Sequence, residues 1–90
     1  MTAEETLARA EQAQRILTDP MVVEALALIE TEAIAVWMQT KASDVEGREA
    51  LWQYIRLAQK FGDILRGAIQ GAEVLRAELA AQAYERNSDL

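Results

Sequence analysis

The sequence predicts an all-α fold, an antiparallel helical hairpin whose last helix is much longer than the others. Three observations predict it. Half of the 90 residues are apolar and only one is proline; β-branched residues never alternate with polar ones over a strand's length; and apolar residues recur at intervals of three and four. A chain of this length forms a single domain, residues 1–90, in which one core is barely adequate, so we expect an oligomer.

The first helix is predicted over residues 3–18. Thr2 and Glu5 fit a capping box, in which a hydroxyl and a carboxylate satisfy free backbone amides at a helix start. The apolar stripe of this helix is thin, because it depends on Leu7, Ala10 and Leu17. The sequence therefore predicts a loosely attached N-terminal helix over residues 1–18.

The second helix is predicted over residues 20–39. Proline is tolerated at the first position of a helix, and Asp19 before Pro20 can cap the free amides. Apolar residues surround this helix on more than one face, so it must be covered on two sides. Its three glutamates argue against a membrane span, and no membrane partner is expected.

The third helix is predicted over residues 44–84, followed by a frayed tail over residues 85–90. Apolar residues recur along this helix at intervals of three and four, which predicts a coiled-coil-like seam. The sequence leaves open a kink at Gly62. A helix of this length rises roughly 60 Å, whereas the second rises only about 30 Å. Either the first helix continues along the far half of the third, or a second copy covers that half. The seam comprises Leu51, Tyr54 or Ile55, Ala58, Phe61 or Gly62, Leu65, Ala68 or Ile69, Ala72, Leu75 and Leu79.

The most concentrated acidic group is Asp44, Glu46 and Glu49. A helix-loop-helix calcium site needs acids at alternating positions, and Arg48 occupies the next alternate position. Ser43 to Glu46 instead fits the S-x-x-E capping box, with carboxylates in the first turn where the helix dipole favours them. This pattern predicts a helix start and no metal site.

Composition also limits the chemistry. The chain has no cysteine and no histidine, which removes thiolate nucleophiles, the usual zinc ligands and the side chain most used for acid–base catalysis. We therefore expect no enzyme, no catalytic residue and no cofactor. The N-terminal sequence lacks the pattern of a signal peptide, so a cytoplasmic location is expected.

A possible contact surface lies on the third helix, where Gly67 and Gly71 form G-x-x-x-G. Each glycine inside a helix costs about 1 kcal/mol relative to alanine, which suggests close approach of another helix, or a kink. Large aromatic side chains flank the loop and either bind a partner or close the hairpin core; they are Trp37, Trp52 and Tyr54. The predicted oligomer or partner interface comprises Leu65, Gly67, Ile69, Gly71, Ala72, Leu75 and Leu79.

The formal charge is −6. Residues 1–47 hold nine acids and three bases, whereas bases outnumber acids over residues 48–66. An acidic chain is repelled by phosphate backbones, so nucleic-acid binding needs a local basic face. The candidate contacts are Arg48, Arg56, Lys60 and Arg66.

The run D-x-E-G-R-E-x-L-W begins at Asp44. Together with Asp19-Pro20, Trp37 and Thr40, and Gly71-Ala72-Glu73, it resembles a group of small helical proteins of tailed-phage and prophage genomes, mostly of unknown function. The resemblance covers about residues 19–80 and carries over no functional residue. Some of those proteins lie near head and DNA-packaging genes.

The resemblance implies a phage or prophage structural or interaction protein, in the bacterial host cytoplasm or associated with the virion. It would self-associate or dock on a phage head or packaging protein through its long helix. The alternative function is a small-terminase-like DNA-packaging subunit that binds DNA as an oligomer through the four candidate bases.

Overall fold

The computed structural model describes residues 1–88, which form three α-helices and no strand. They are α1 (Ala3–Thr18), α2 (Pro20–Gln39) and α3 (Val45–Ser88). The all-α prediction is confirmed, and α1 and α2 have the predicted bounds. The molecule is extended, since it measures 71 × 26 × 19 Å and its radius of gyration is 20.0 Å, against about 12 Å for a compact chain of this length.

A single residue, Asp19, separates α1 from α2. Its backbone is extended (φ −66°, ψ 123°), as expected for a residue that precedes proline. Its carboxylate accepts hydrogen bonds from the amides of Met21 (2.8 Å) and Val22 (3.3 Å), while its own amide donates to the Ile16 carbonyl (3.2 Å). Asp19 thus ends one helix and caps the next. At the other end of α1, Thr2 accepts a hydrogen bond from the Glu5 amide (3.1 Å), as the capping box predicts.

The start of α3 corrects the predicted capping box. The cap is Asp44 rather than Ser43, because the Asp44 carboxylate accepts a hydrogen bond from the Gly47 amide (3.0 Å), and the Asp44 carbonyl accepts one from the Arg48 amide (3.1 Å). Asp44 is therefore the capping residue before the helix, which begins at Val45 and not at position 44.

The helix α3 continues through Gly62 and extends to Ser88, beyond the predicted end at position 84. Gly62 is buried, and the Arg66 guanidinium lies where a Cβ on this glycine would project. Residues 85–88, where the sequence predicts fraying, are helical. The rest of the predicted tail, residues 89–90, lies outside the described residues.

Both shorter helices pack on α3. α2 lies beside residues 48–61 of α3, and α1 lies beside residues 64–76. The contact of α1 with α3 is the more extensive of the two. Of the two coverings that the sequence leaves open for the far half of α3, the structure shows the one made by α1. The predicted loose attachment of α1 stays a prediction.

The seam between the helices is made of small residues. Within residues 1–88, the buried apolar residues are Ala10, Ala13, Ala33 and Ala72, and no large side chain is fully buried. The sequence allows either Tyr54 or Ile55 at one position of the seam of α3. In the structure Ile55 is half-buried and Tyr54 is exposed. The chain therefore has a narrow contact seam rather than a core of large apolar side chains. None of the three helices combines the length and apolarity needed to cross a bilayer, over the residues that the structure covers.

Candidate functional site

The main candidate site is an apolar groove between α2 and α3, with a volume of about 350 Å³. Its walls are almost wholly carbon, and Leu57 is 67% exposed, Tyr54 54% and Phe61 45%. Apolar side chains so exposed on adjoining positions are typical of a surface that another molecule covers. We call this surface the α2–α3 groove; it is lined by Val22, Ala25, Leu26, Ile29, Tyr54, Leu57, Ala58 and Phe61.

The α2 helix is apolar well beyond the face that contacts α3. Ala33 is its one buried residue in the described chain. A helix that is apolar on most sides is normally buried on most sides, so a large part of this helix lacks the cover that its composition predicts. The exposed large apolar residues on α2 are Met21, Val23, Leu28, Ile34, Val36, Trp37 and Met38.

Beside the groove lies a polar depression formed by α3 alone. Leu57 lines both features, and Arg56 and Lys60 line the depression together with two glutamines, Ile64 and Asp63, which pairs with Arg66. Because a single helix supplies all of its lining, no second wall faces these polar groups. The depression is thus an open surface that carries positive charge at the rim of the α2–α3 groove.

The four candidate nucleic-acid contacts have different surroundings. The Arg66 guanidinium pairs with the Asp63 carboxylate at 2.8 Å. The Arg56 guanidinium lies 5.7 Å from the centre of the Trp52 ring. Arg48 is half-buried against α2. Arg56 and Lys60 share one depression, which brings two of the four bases together. Contact with nucleic acid stays a prediction.

Arg48 joins the end of α2 to the start of α3. Its guanidinium carbon lies 4.1 Å from the centre of the Trp37 ring, and its Nε donates to the Thr40 hydroxyl at 3.0 Å. The Thr40 hydroxyl in turn donates to the Trp37 carbonyl at 2.6 Å. The sequence analysis missed this role. Its signal in the sequence is an aromatic residue near the end of one helix, followed by an arginine in the first turn of the next helix.

The predicted interface residues divide into two groups. Leu65 and Ile69 line shallow grooves together with α1 residues, and Ala72 and Leu75 share their face of α3, where Ala72 is fully buried. A second chain could reach these positions only if α1 moved away. The remaining members, Gly67, Gly71 and Leu79, are exposed.

The aromatic residues beside the loop remain exposed on the surface. Trp37 is 40% exposed, Trp52 53% and Tyr54 54%. Of the two sequence interpretations, partner binding and closure of the hairpin core, this exposure favours the first for Trp52 and Tyr54. Arg48 covers part of Trp37 within the chain.

The acidic residues near the loop have local roles. Asp44 caps α3, and the Glu49 carboxylate accepts a hydrogen bond from the Gln53 side chain at 3.1 Å. Between residues 1 and 88, no three acidic, histidine or cysteine side chains are placed so that they could hold a metal ion.

Comparison of the chain with protein-family models, with curated proteins and with solved structures found no match.

The contact between Trp37 and Arg48 should contribute measurably to stability. Replacing either residue by alanine removes a cation–π contact, and a double-mutant cycle of Trp37→Ala and Arg48→Ala should give a coupling energy of about 0.5–1 kcal/mol in urea denaturation. The matched pair is Trp52 and Arg56, whose separation is greater, and whose coupling should be smaller. Equal coupling in the two cycles would contradict this role of Arg48.

The glycines Gly67 and Gly71 should accept alanine. A Cβ at either position would meet no atom within 4 Å, so each replacement should raise the free energy of unfolding by about 1 kcal/mol through helix propensity alone. At Gly47 a Cβ would instead overlap the Asp44 carboxylate, which caps α3, so alanine there should stabilise the chain less than at Gly67 or Gly71, because the carboxylate must move and its hydrogen bond is weakened. Urea denaturation measures the free energy of unfolding of each variant, and sedimentation measures the size of its assembly. A smaller assembly for Gly67→Ala/Gly71→Ala would place a second helix across these glycines.

Proposed function

We propose that this chain is a non-enzymatic assembly protein, which functions by binding other protein chains, copies of itself included, through the exposed apolar faces of α2 and α3. The observation that carries the proposal is the absence of any fully buried large side chain within residues 1–88, combined with many large apolar residues at the surface. Association with another chain would remove these exposed apolar side chains from water.

Surface area supports the same proposal. The chain exposes 7206 Å², whereas a compact monomer of 10.0 kDa exposes about 5,200 Å². The difference, about 2,000 Å², partly reflects the end of α3, which neither α1 nor α2 covers. It still exceeds the roughly 800 Å² that each partner contributes to a standard protein interface.

In this proposal the chain is an antiparallel, coiled-coil-like hairpin. Trp37 near the end of α2 lies against Arg48 near the start of α3, and the short loop between them turns the chain back on itself. We further propose an origin in a tailed phage or prophage and a partner among head or packaging proteins. These last two points rest on the sequence resemblance described above.

The size of the protein in solution tests the proposed function. Sedimentation velocity of the full chain should show a species heavier than a single chain, with a weight-average mass that rises with protein concentration. Thermal unfolding should also move to higher temperature as concentration rises, because mass action stabilises an associated state. A monomer at every concentration would contradict self-association.

A second candidate, from a different class, is a small-terminase-like subunit that binds DNA as an oligomer. The shared exposure of Arg56 and Lys60 in one depression favours it. DNA binding should weaken steeply with salt, and the double variant Arg56→Gln/Lys60→Gln should reduce both the affinity and the salt dependence. Arg66→Gln is the matched control, because Arg66 is already paired with Asp63. An electrophoretic shift assay that shows no binding at low salt would exclude this candidate.

A further inference from the structure

We propose that a second copy of this chain covers the α2–α3 groove, in a two-fold dimer that places α2 of each copy against α3 of the other. The inference rests on the proposed function and adds the surface, the partner and the arrangement. A two-fold axis makes the same groove serve both chains, so one exposed surface accounts for the whole interface.

The first argument is the chemistry of the groove. Leu57 and Phe61 on α3 face Leu26 and Ile29 on α2, with almost no polar atom between them. An occupant must therefore be apolar over the length of the groove, and must be helical, because a helix satisfies its own backbone hydrogen bonds and the two helices that form the groove offer no strand edge. The exposed apolar side of α2 in a second copy meets both conditions.

The second argument is charge complementarity. All three charged residues of α2 are acidic, namely Glu24, Glu30 and Glu32. The part of α3 that forms the groove wall carries Arg56 and Lys60 at its rim. Pairing α2 with α2 would bring like charges together, whereas pairing α2 with the partner's α3 brings opposite charges together. Pairing the basic rim of α3 with its own copy would likewise bring like charges together, so the complementarity selects one of the three pairings available to a symmetric dimer.

One specific contact follows from helical spacing. Glu32 lies four residues after Leu28 and four before Val36, both of them exposed, so it lies on the exposed apolar side of α2. Lys60 lies three residues after Leu57 and one before Phe61, at the rim of the opposite wall. Glu32 and Lys60 are therefore the oppositely charged pair that we assign to the contact between α2 of one copy and α3 of the second.

The area needed is available. A standard interface removes about 800 Å² from each partner, and the chain exposes about 2,000 Å² beyond a compact monomer of its mass. Part of that area lies at the uncovered end of α3, while the groove and the exposed side of α2 adjoin each other and form one continuous surface. A second copy needs no segment beyond those already described.

Leu57→Glu in the full chain tests the location of the interface. Leu57 is 67% exposed, so the charge should disturb the isolated chain little, yet it would be buried in the dimer, where an unpaired carboxylate is costly. We expect the dimer dissociation constant to rise at least about tenfold in sedimentation equilibrium. The matched control is Val74→Glu, at a similarly exposed site (59%) outside the groove, which should leave the dissociation constant unchanged.

Each outcome is informative. An assembly weakened by Val74→Glu and not by Leu57→Glu, or equally by both, overturns the groove as the interface and leaves the proposed function standing. If neither variant weakens the assembly, the groove is likewise not the interface, and the proposed function still stands. A wild-type chain that is monomeric throughout overturns the dimer together with self-association. Circular dichroism of both variants verifies that α3 remains helical.

A charge exchange tests the arrangement. Glu32→Lys and Lys60→Glu should each weaken the dimer, and the double variant should recover most of the lost affinity, because each copy again presents opposite charges across the groove. High salt should reduce all three effects. If the double variant binds more weakly than either single variant, the pairing of α2 with the partner's α3 is wrong.

Discussion

The structure depends on one constraint, which is that a single face of α3 must contact two helices laid one after the other. α1 and α2 meet at Asp19 and Pro20, and together they follow α3 from about residue 48 to residue 76. Close approach along this face is possible because small residues occupy it, among them Gly62 and Ala72. Small residues bring helix axes close together, but they bury little apolar area, and burial of apolar area is the main favourable contribution to folding.

The proposed function follows from that constraint. Two layers of helices can cover only one side of each helix, so the large apolar side chains on the other sides stay at the surface. In a larger bundle, further helices would cover them. In the proposed function this cover comes from another chain, so we assign the exposed apolar faces of α2 and α3 to assembly rather than to a small-molecule site. In the same proposal, the polar groups beside the groove orient the partner.

The loop between α2 and α3 shows how a local contact sets the geometry of an interaction surface. Arg48 stacks on Trp37 and donates to Thr40, so the first turn of α3 is held against the last turn of α2. Arg48, which the sequence makes a candidate for phosphate contact, is thereby engaged within the chain. Of the four candidate bases, Arg56 and Lys60 are the two that line the exposed depression.

The sequence alone determined the three helices and both ends of α1 and α2. Caps and breaks are local, because Thr2 and Asp19 bond to amides within three residues and proline restricts its immediate neighbour. The predicted start of α3 was wrong by one residue, and its predicted end at position 84 was wrong because the helix extends to Ser88. Only the tertiary structure decided which side of each apolar stripe is covered, where α1 lies along α3, and what Arg48 contacts. Those outcomes depend on residues far apart in the chain, and a stripe that runs around most of a helix, as in α2, does not specify which of its sides meets a neighbour.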